Sequence, residues 1–363
     1  MGVWIYGATG FTGRLVAEAL RARGVRFGIA GRDRARLDAL AGQLGGDIET
    51  RAADLYDAEM VNAALRDAKV VISCAGPFAK FGEPVLRAAL HAGAHYLDTT
   101  GEQGFMRDIY ERYESRARRA GLCFVNACAF EVALGDWAAS LAGSALDAAN
   151  DPVDEVAIAY AINDFQPTRG TQLSALSQMS GSGVVWERDR WDPVEPAAEK
   201  RSFGFPLPFG PRSAISFPSG EVITVPRHVS TRRVQTYISL PPGPMSMLAS
   251  RAGRFVGPLV RSPLGDVLRR RVDKAPPEPT MGQRGVNDFA VTATATRGFD
   301  SAHVAVSGTD VYGMTAQVVA LGVEQLLAGK QRGAGVLAPA EAFDPAESLA
   351  ALDVTLRTSF PTP

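Results

Sequence analysis

Near the start of the chain three glycines stand three residues apart, at Gly7, Gly10 and Gly13, with Thr9, Phe11 and Thr12 among the residues between them. Glycines so spaced allow a tight turn, a close approach of the backbone to an anion, and close packing of the helix that follows. The amino end of such a helix offers N–H groups and a positive dipole end to phosphate. Further on, Arg32 and Arg36 lie one helical turn apart, so both guanidiniums can face a single phosphate. Two other segments mix small residues with ones that carry chemistry: Ala75-Gly76-Pro77-Phe78 with Lys80 just beyond, and Gly101-Glu102. Glu102 is a candidate to hold or move a proton, and Lys80 a candidate to orient a carbonyl or carboxylate. The competing readings are a cap for the following helix at Glu102 and a solvated side chain at Lys80.

The surrounding pattern says what positions these residues. Gly2 to Tyr6 is a short apolar run ending at the first glycine, and Leu15, Val16, Ala19 and Leu20 then recur at helical spacing. Arg26–Gly31, Ile48–Ala52, Lys69–Ala75, His95–Asp98 and Leu122–Cys128 read as further strands. Between them, Leu37, Leu40, Ala41 and Leu44 mark a helix, and Ala58–Ala68, Val85–Ala92 and Phe105–Ala120 three more. Strict alternation with short connections predicts an α/β fold, a doubly wound Rossmann domain on a six-stranded parallel sheet. Ligands of such sheets bind beyond the carboxyl ends of the strands, where every loop named above falls. Proteins that bind NAD place an acid after the second strand, and those that bind NADP an arginine. Arg32 stands there, so NADP(H) is the expected cofactor. Asp54 and Leu55 after the third strand are expected to line the adenine pocket, and Asp57 reads as a helix cap. Ala75 to Phe78 and Gly101 are expected under the cofactor and at its nicotinamide end.

A length of 363 residues suggests two domains, and 46% apolar with 21% charged residues suits globular cores. The net charge of −1 gives no reason to expect a nucleic-acid partner or an acidic membrane surface, and Arg269 to Arg271 read as a solvated helix face. Cys74, Cys123 and Cys128 sit in apolar runs without zinc or Cys-x-x-Cys spacing, as reduced buried thiols would. His91, His95, His228 and His303 lack ligand spacing, so no metal is expected. His228, beside Arg227, reads as structural. There is neither a Tyr-x-x-x-Lys pair nor a nucleophilic serine elbow. No apolar run approaches the roughly 18 residues a membrane span needs, and the chain opens on a strand pattern without a leader. The cytoplasm is the expected compartment.

Beyond Asn150 the pattern changes to an α+β second domain on a mixed or antiparallel sheet. Val153–Ile162, Glu221–Pro226, Val234–Leu240, Phe289–Thr296 and Ala302–Thr309 read as strands, and Thr168–Ser180 as a short helix. Phe203 to Gly220, crowded with Pro and Gly, reads as an irregular surface segment. Met245 to Val272 reads as largely helical with breaks at Gly257-Pro258 and Pro263, and Tyr312 to Lys330 as an amphipathic helix. The end of the chain from about Thr358 reads as frayed. Phe203, Phe205, Phe209 and Phe217 suit an apolar substrate or a second core. Arg169, Arg212, Arg227 and Arg232 keep a carboxylate substrate open.

Four stretches carry a family resemblance: IYGATGFTG, AGRDRARL, CAGPFAKFGEPVLRAALHAGAHYLDTTGE and GAGVLAPAEAF. They resemble the saccharopine dehydrogenase-like oxidoreductases, and most of all the branch of trans-acting enoyl reductases. The likeness covers most of the first half and only the layout of the middle. It implies a domain order of 1–130 for NADP binding, 131–311 for substrate and 331–363 as a C-terminal segment. It also implies that the helix at 312–330 packs back on the nucleotide domain, and that the second domain covers the cofactor crevice. Where relatives carry Gly-Phe-Asp-Ser-Val-Pro, this chain has Ala129-Phe130-Glu131-Val132-Ala133-Leu134, with the acid one methylene longer and the proline gone. The implied activity is NADPH-dependent reduction of an activated C=C bond in a small or carrier-linked metabolite. C=N reduction of the saccharopine type and a non-enzymatic NADP-binding redox sensor are the alternatives. A homodimer is the assembly considered, and the sequence leaves that state open.

Overall fold

Val3–Tyr6, Phe27–Gly31 and Val70–Ser73 are buried at every position, as strands covered by helices on both faces must be. The structure, a computed structural model, describes residues 2–146, 151–180, 183–195, 197–239, 262–273 and 287–361. Its contacts divide the chain into two units, Met1–Ala133 with Tyr312–Asp344, and Leu134–Val311 with Pro345–Pro363.

The first unit runs β1 (Val3–Tyr6), α1 (Phe11–Ala22), β2 (Phe27–Gly31), α2 (Arg34–Leu44), β3 (Thr50–Ala52) and α3 (Ala58–Leu65). It continues with β4 (Val70–Ser73), α4 (Phe78–Ala92), β5 (His95–Asp98), α5 (Gln103–Arg119), β6 (Cys123–Val125) and the start of α6 (Phe130–Ser144). Helix α1 buries Leu15, Val16, Ala19 and Leu20, the stripe its spacing predicts.

The chain then builds β7 (Glu155–Ile162), α7 (Arg169–Ser180), β8 (Gly183–Glu187), β9 (Arg190–Val194), β10 (Lys200–Gly204) and β11 (Pro211–Ser216). A short helix α8 (Glu221–Thr224) and a 3₁₀ turn (Val225–Arg227) lead to β12 (Arg233–Ser239), α9 (Pro263–Asp273), β13 (Asp288–Arg297) and β14 (Asp300–Thr309). Next come α10 (Val311–Leu327), β15 (Gly335–Leu337) and α11 (Pro339–Ala342), and finally α12 (Pro345–Ala350) and β16 (Thr355–Ser359).

The first unit's sheet has the order β15-β6-β5-β4-β1-β2-β3, wholly parallel, with a doubly wound crossover at β1. It holds seven strands where six are read from the sequence, because the three residues of β15 join β6 from the far end of the chain. The second sheet follows β10-β11-β12-β7-β13-β14-β16 and is mixed, with β7 and β12 parallel and the other neighbours on that path antiparallel.

Several expectations for the second half change. Glu221–Pro226 is helical, not a strand: all four residues of α8 are buried, and Pro226 sits in the 3₁₀ turn that continues it. Phe203–Gly220 is largely a hairpin of β10 and β11, with Pro206 and Pro208 at the turn, Pro211 at the strand start and Pro218 beyond the strand end. Phe203, Phe205 and Phe209 pack with Ala157, Ala159, Ala161, Ala214 and Ala290 in a core, so they are not a free apolar lining. Thr358 and Ser359 are paired with Val304 and His303, not frayed. Pro263 begins α9, and the rest of the expected helical stretch, residues 245–261 with the break at Gly257-Pro258, lies outside the described residues. Among the described residues no helix is long and apolar enough to cross a membrane.

Candidate functional site

Gly7 adopts a φ of +83°, and its N–H bonds back to Ala30 at 3.0 Å. A Cβ on Gly13 would lie 2.4 Å from the Gly7 carbonyl oxygen, so only glycine lets α1 start this close to β1. Gly10 stands at the N-cap in extended conformation and supplies no side-chain cap. The next three helices differ. Asp33 caps α2 by accepting from Arg36 N, and Asp57 caps α3 by accepting from Glu59 N and Met60 N, both at 3.0 Å. Glu102 closes α4, accepting from Phe78 N at 2.8 Å and Ala79 N at 2.9 Å. Of α1 to α4, therefore, α1 alone has no carboxylate at its amino end, which suits an anionic ligand there.

Beside this turn the Arg36 guanidinium donates to the Thr9 carbonyl at 3.0 Å, which holds it against the glycine loop. Arg32 is exposed at the end of β2. It gathers with Asp54 around the Tyr6 hydroxyl, which donates to Ala53 O at 2.7 Å. Burial, and then the Asp54 charge, push the Tyr6 phenol up to about 12, with Arg32 opposing them. Asp54 is exposed and accepts from Tyr56 N at 3.0 Å, and Leu55 is half-buried. The ends of β1, β2 and β3 thus bring together Thr9, Arg32, Arg36 and Asp54.

A second group lies at the ends of β4, β5 and β6. Ala75 and Pro77 are half-buried, Gly76 is exposed, and Phe78 and Gly101 are buried. Glu102 occupies the N-cap position of α5 but makes no side-chain bond to that helix, so it caps α4, not the helix that follows it. Lys80 is exposed, with its ammonium 5.0 Å from the Phe81 ring centroid, and Phe81 meets Tyr56 edge-on. No hydrogen bond or ion pair joins Lys80 to Glu102.

Asp98, fully buried, ties the last two loops together. Its Oδ1 accepts from Thr100 N at 3.1 Å and Ala127 N at 2.9 Å, and its Oδ2 from Asn126 Nδ2 at 2.8 Å. Burial raises its carboxyl to about 6 although these hydrogen bonds favour the ionised form. This bracket sets the path into α6, where Glu131 stands in the first turn. Sequence reasoning noted the added methylene of Glu131 without giving it a role. Its carboxyl is raised above the usual range by desolvation first and the Glu102 charge second. It is nonetheless exposed, so solvent reaches a group that protein crowds from most sides.

In the second unit, His228 Nε2 lies 2.7 Å from Oδ1 of the fully buried Asp136. Arg232 is paired with Asp154 at 2.5 Å, and Arg212 donates to Asn163 at 3.1 Å. Arg212 and Arg232 therefore serve the protein's own groups.

Residues 3–125 match the family model described as the saccharopine dehydrogenase NADP binding domain, so the first unit carries that NADP-binding domain. A trans-acting enoyl reductase of Mycobacterium tuberculosis is 36% identical over 132 residues, 35% of this chain and 32% of that protein. A lipid droplet localized protein of Caenorhabditis elegans is 34% identical over 140 residues, 36% of this chain and 33% of its own length. The chain thus spans about a third of the length of the curated relatives it matches. Apo saccharopine dehydrogenase (L-Glu forming) from Saccharomyces cerevisiae shares the fold over 99% of both chains, with a TM-score of 0.66 and 14% identity.

Proposed function

We propose that this chain, whose residues 3–125 carry the saccharopine dehydrogenase NADP binding domain, is an NADPH-dependent reductase of an activated C=C bond in a small or carrier-linked metabolite. The observation that carries the cofactor half is the α1 amino end without a carboxylate, beside Arg32 and Arg36. Gly7, Gly10 and Gly13 shape the turn for a pyrophosphate, with Thr9, Phe11 and Thr12 lining it. Arg32 takes the 2′-phosphate and Arg36 supports it. Asp54 and Leu55 border the adenine, and Ala75, Gly76, Pro77, Phe78 and Gly101 lie towards the nicotinamide. Bound NADPH supplies a hydride. In this reading Glu102 positions α4, and Lys80 orients a substrate oxygen from the same helix. The names of the enoyl reductase relatives support C=C reduction. The whole-chain fold likeness to a saccharopine dehydrogenase favours C=N reduction as the second reading.

The purified protein with NADPH is to be offered conjugated enoyl thioesters and, separately, oxo-acid and amine mixtures, while NADPH absorbance is followed. Turnover of the thioesters is expected. Turnover confined to the imine-forming mixtures would replace the first reading with the second. Tight NADPH binding with no turnover in either would favour a sensor.

A further inference from the structure

Glu102 is the first carboxylate to consider as a proton donor at the nicotinamide end, and the geometry removes it. Each of its oxygens is engaged as an acceptor by a backbone N–H of α4, which ties the carboxyl to the chain. The same arrangement holds the Glu102 carboxyl where it acts on Glu131. Among the described residues, Glu102 is the charged group that acts on Glu131.

Three features single out Glu131. It stands in the first turn of α6, six residues beyond β6 and past the carboxyl end of the sheet, where ligands of doubly wound folds bind. Solvent reaches it, so a proton given up there can be replaced. The first turn of a helix ordinarily favours an ionised acid, yet desolvation and the Glu102 charge shift Glu131 the opposite way. An accessible acid whose carboxyl is pushed up, by desolvation first and the Glu102 charge second, suits general-acid catalysis.

On the reading of an enoyl reductase, we infer that Glu131 is the catalytic proton donor and that Glu102 is the positioning residue that places it. NADPH, when bound, would supply a hydride to the β-carbon, and the π pair would move through the α-carbon onto the carbonyl oxygen. The pair returns to form a C–H bond at the α-carbon with the Glu131 proton, as the O–H bond of the carboxyl breaks. NADPH is oxidised, the double bond is reduced, and solvent reprotonates the Glu131 carboxylate.

Two readouts test this. Carboxyl-labelled glutamate NMR, with Glu131→Gln to assign the resonance, is expected to show Glu131 titrating above the ordinary glutamate range and moving down in Glu102→Gln. An ordinary titration overturns the assignment whether or not the protein turns over. In the assay, Glu131→Gln is expected to lower enoyl turnover by about a hundredfold to ten-thousandfold and to abolish the loss of activity at high pH. NADPH affinity and Tm should hold, and Glu131→Asp should restore part of the rate. Wild-type rate and pH profile in Glu131→Gln would overturn the proposal and leave the enoyl reading standing. A high titration in a protein inert towards enoyl thioesters supports the acid and overturns the enoyl reading.

Discussion

Around the candidate site of the first unit, carboxylates meet backbone: Asp33, Asp57 and Glu102 close helix ends, and Asp98 clasps the amides of Thr100 and Ala127. In the second unit carboxylates meet side chains from distant strands. Glu155 pairs with Arg201 at 2.6 Å and Arg233 at 3.0 Å, and Arg233 reaches on to Glu199, which also accepts from Tyr237 at 2.9 Å. Deeper in that unit, Glu221 accepts from Tyr160 and Ser219. Asp33 and Asp57 bond to amides two or three residues on, and such caps are set by local sequence. The bonds of Glu155 and Glu199, and that of Glu221 with Tyr160, exist only once the strand register is set. The first unit therefore holds one open end, at α1, that a ligand can complete, while Glu155, Glu199 and Glu221 of the second are engaged within the fold.

The sharpest way to break that contrast is Glu221→Ala. It removes the carboxylate to which Tyr160 and Ser219 both donate, and a buried hydroxyl that loses such a bond costs about 1–3 kcal/mol. A loss of about 3–5 kcal/mol is expected in urea unfolding. Trp191 is a local probe, since its indole N–H donates to Val222 O at 3.0 Å beside the network. A loss below about 1 kcal/mol would mean that the network contributes little beyond what packing already supplies.

Asp98 tests the other side, where one carboxylate serves backbone. Asp98→Ala leaves two amides and Asn126 without their acceptor and should cost about 2–4 kcal/mol. Asp98→Asn should cost far less, because Asn126 Oδ1 has no partner and the amide can turn to accept the new N–H. The pH dependence separates them further. Burial lifts Asp98 to about 6, above the roughly 3.9 of an unfolded carboxyl. Between those values the folded chain keeps a proton that the unfolded chain has released. The stability so contributed is complete below about pH 4 and is lost as pH rises to about 6, by about 2–3 kcal/mol. Thermal melts across that range should lose this slope in Asp98→Asn. An unchanged slope would place the titration elsewhere.

The alternation of the first unit was legible because each strand and helix announces itself within about ten residues, and so was the glycine turn, whose spacing is local. β15 escaped because Gly335–Leu337 shows nothing by itself; only pairing with Cys123–Val125 makes it a strand. β10 and β11 were hidden by prolines at their turn and at Pro211, although Phe203 and Phe205 were the signal of a buried face. Glu221 misled for a different reason. An acid next to Val222 and Ile223 mimics strand alternation, and nothing nearby shows that Tyr160 and Ser219 will receive it in the interior. At the candidate site, Glu102 read as either a catalyst or a cap for α5. The amides it closes belong to Phe78 and Ala79, more than twenty residues earlier, and that pairing follows from the order of β4 and β5 in the sheet.

The smallest expected change in stability is also the most direct test of why α1 lacks a carboxylate. Gly10 has φ −80° and ψ 166°, a conformation any residue adopts, and an added Cβ would sit 3.4 Å from the Gly7 carbonyl. Gly10→Asp can therefore cap α1 as Asp33 caps α2. Relative to glycine, a carboxylate cap with its dipole interaction is worth roughly 0.3–1 kcal/mol, so the melting temperature should rise by a degree or more. The same side chain would occupy the amides and put a negative charge where the pyrophosphate binds, so NADPH affinity should fall at least tenfold, or about 1.4 kcal/mol. Arg32→Ala is the matched control, weakening NADPH about tenfold to a hundredfold through one charge-assisted contact and leaving NADH binding nearly unchanged. Calorimetric titration of both cofactors with differential scanning calorimetry reads all four quantities. A Gly10→Asp protein that melts higher and still binds NADPH like the wild type would show that the amino end of α1 is not the phosphate site. A lower melting point would show that glycine is there for the turn and not for the ligand.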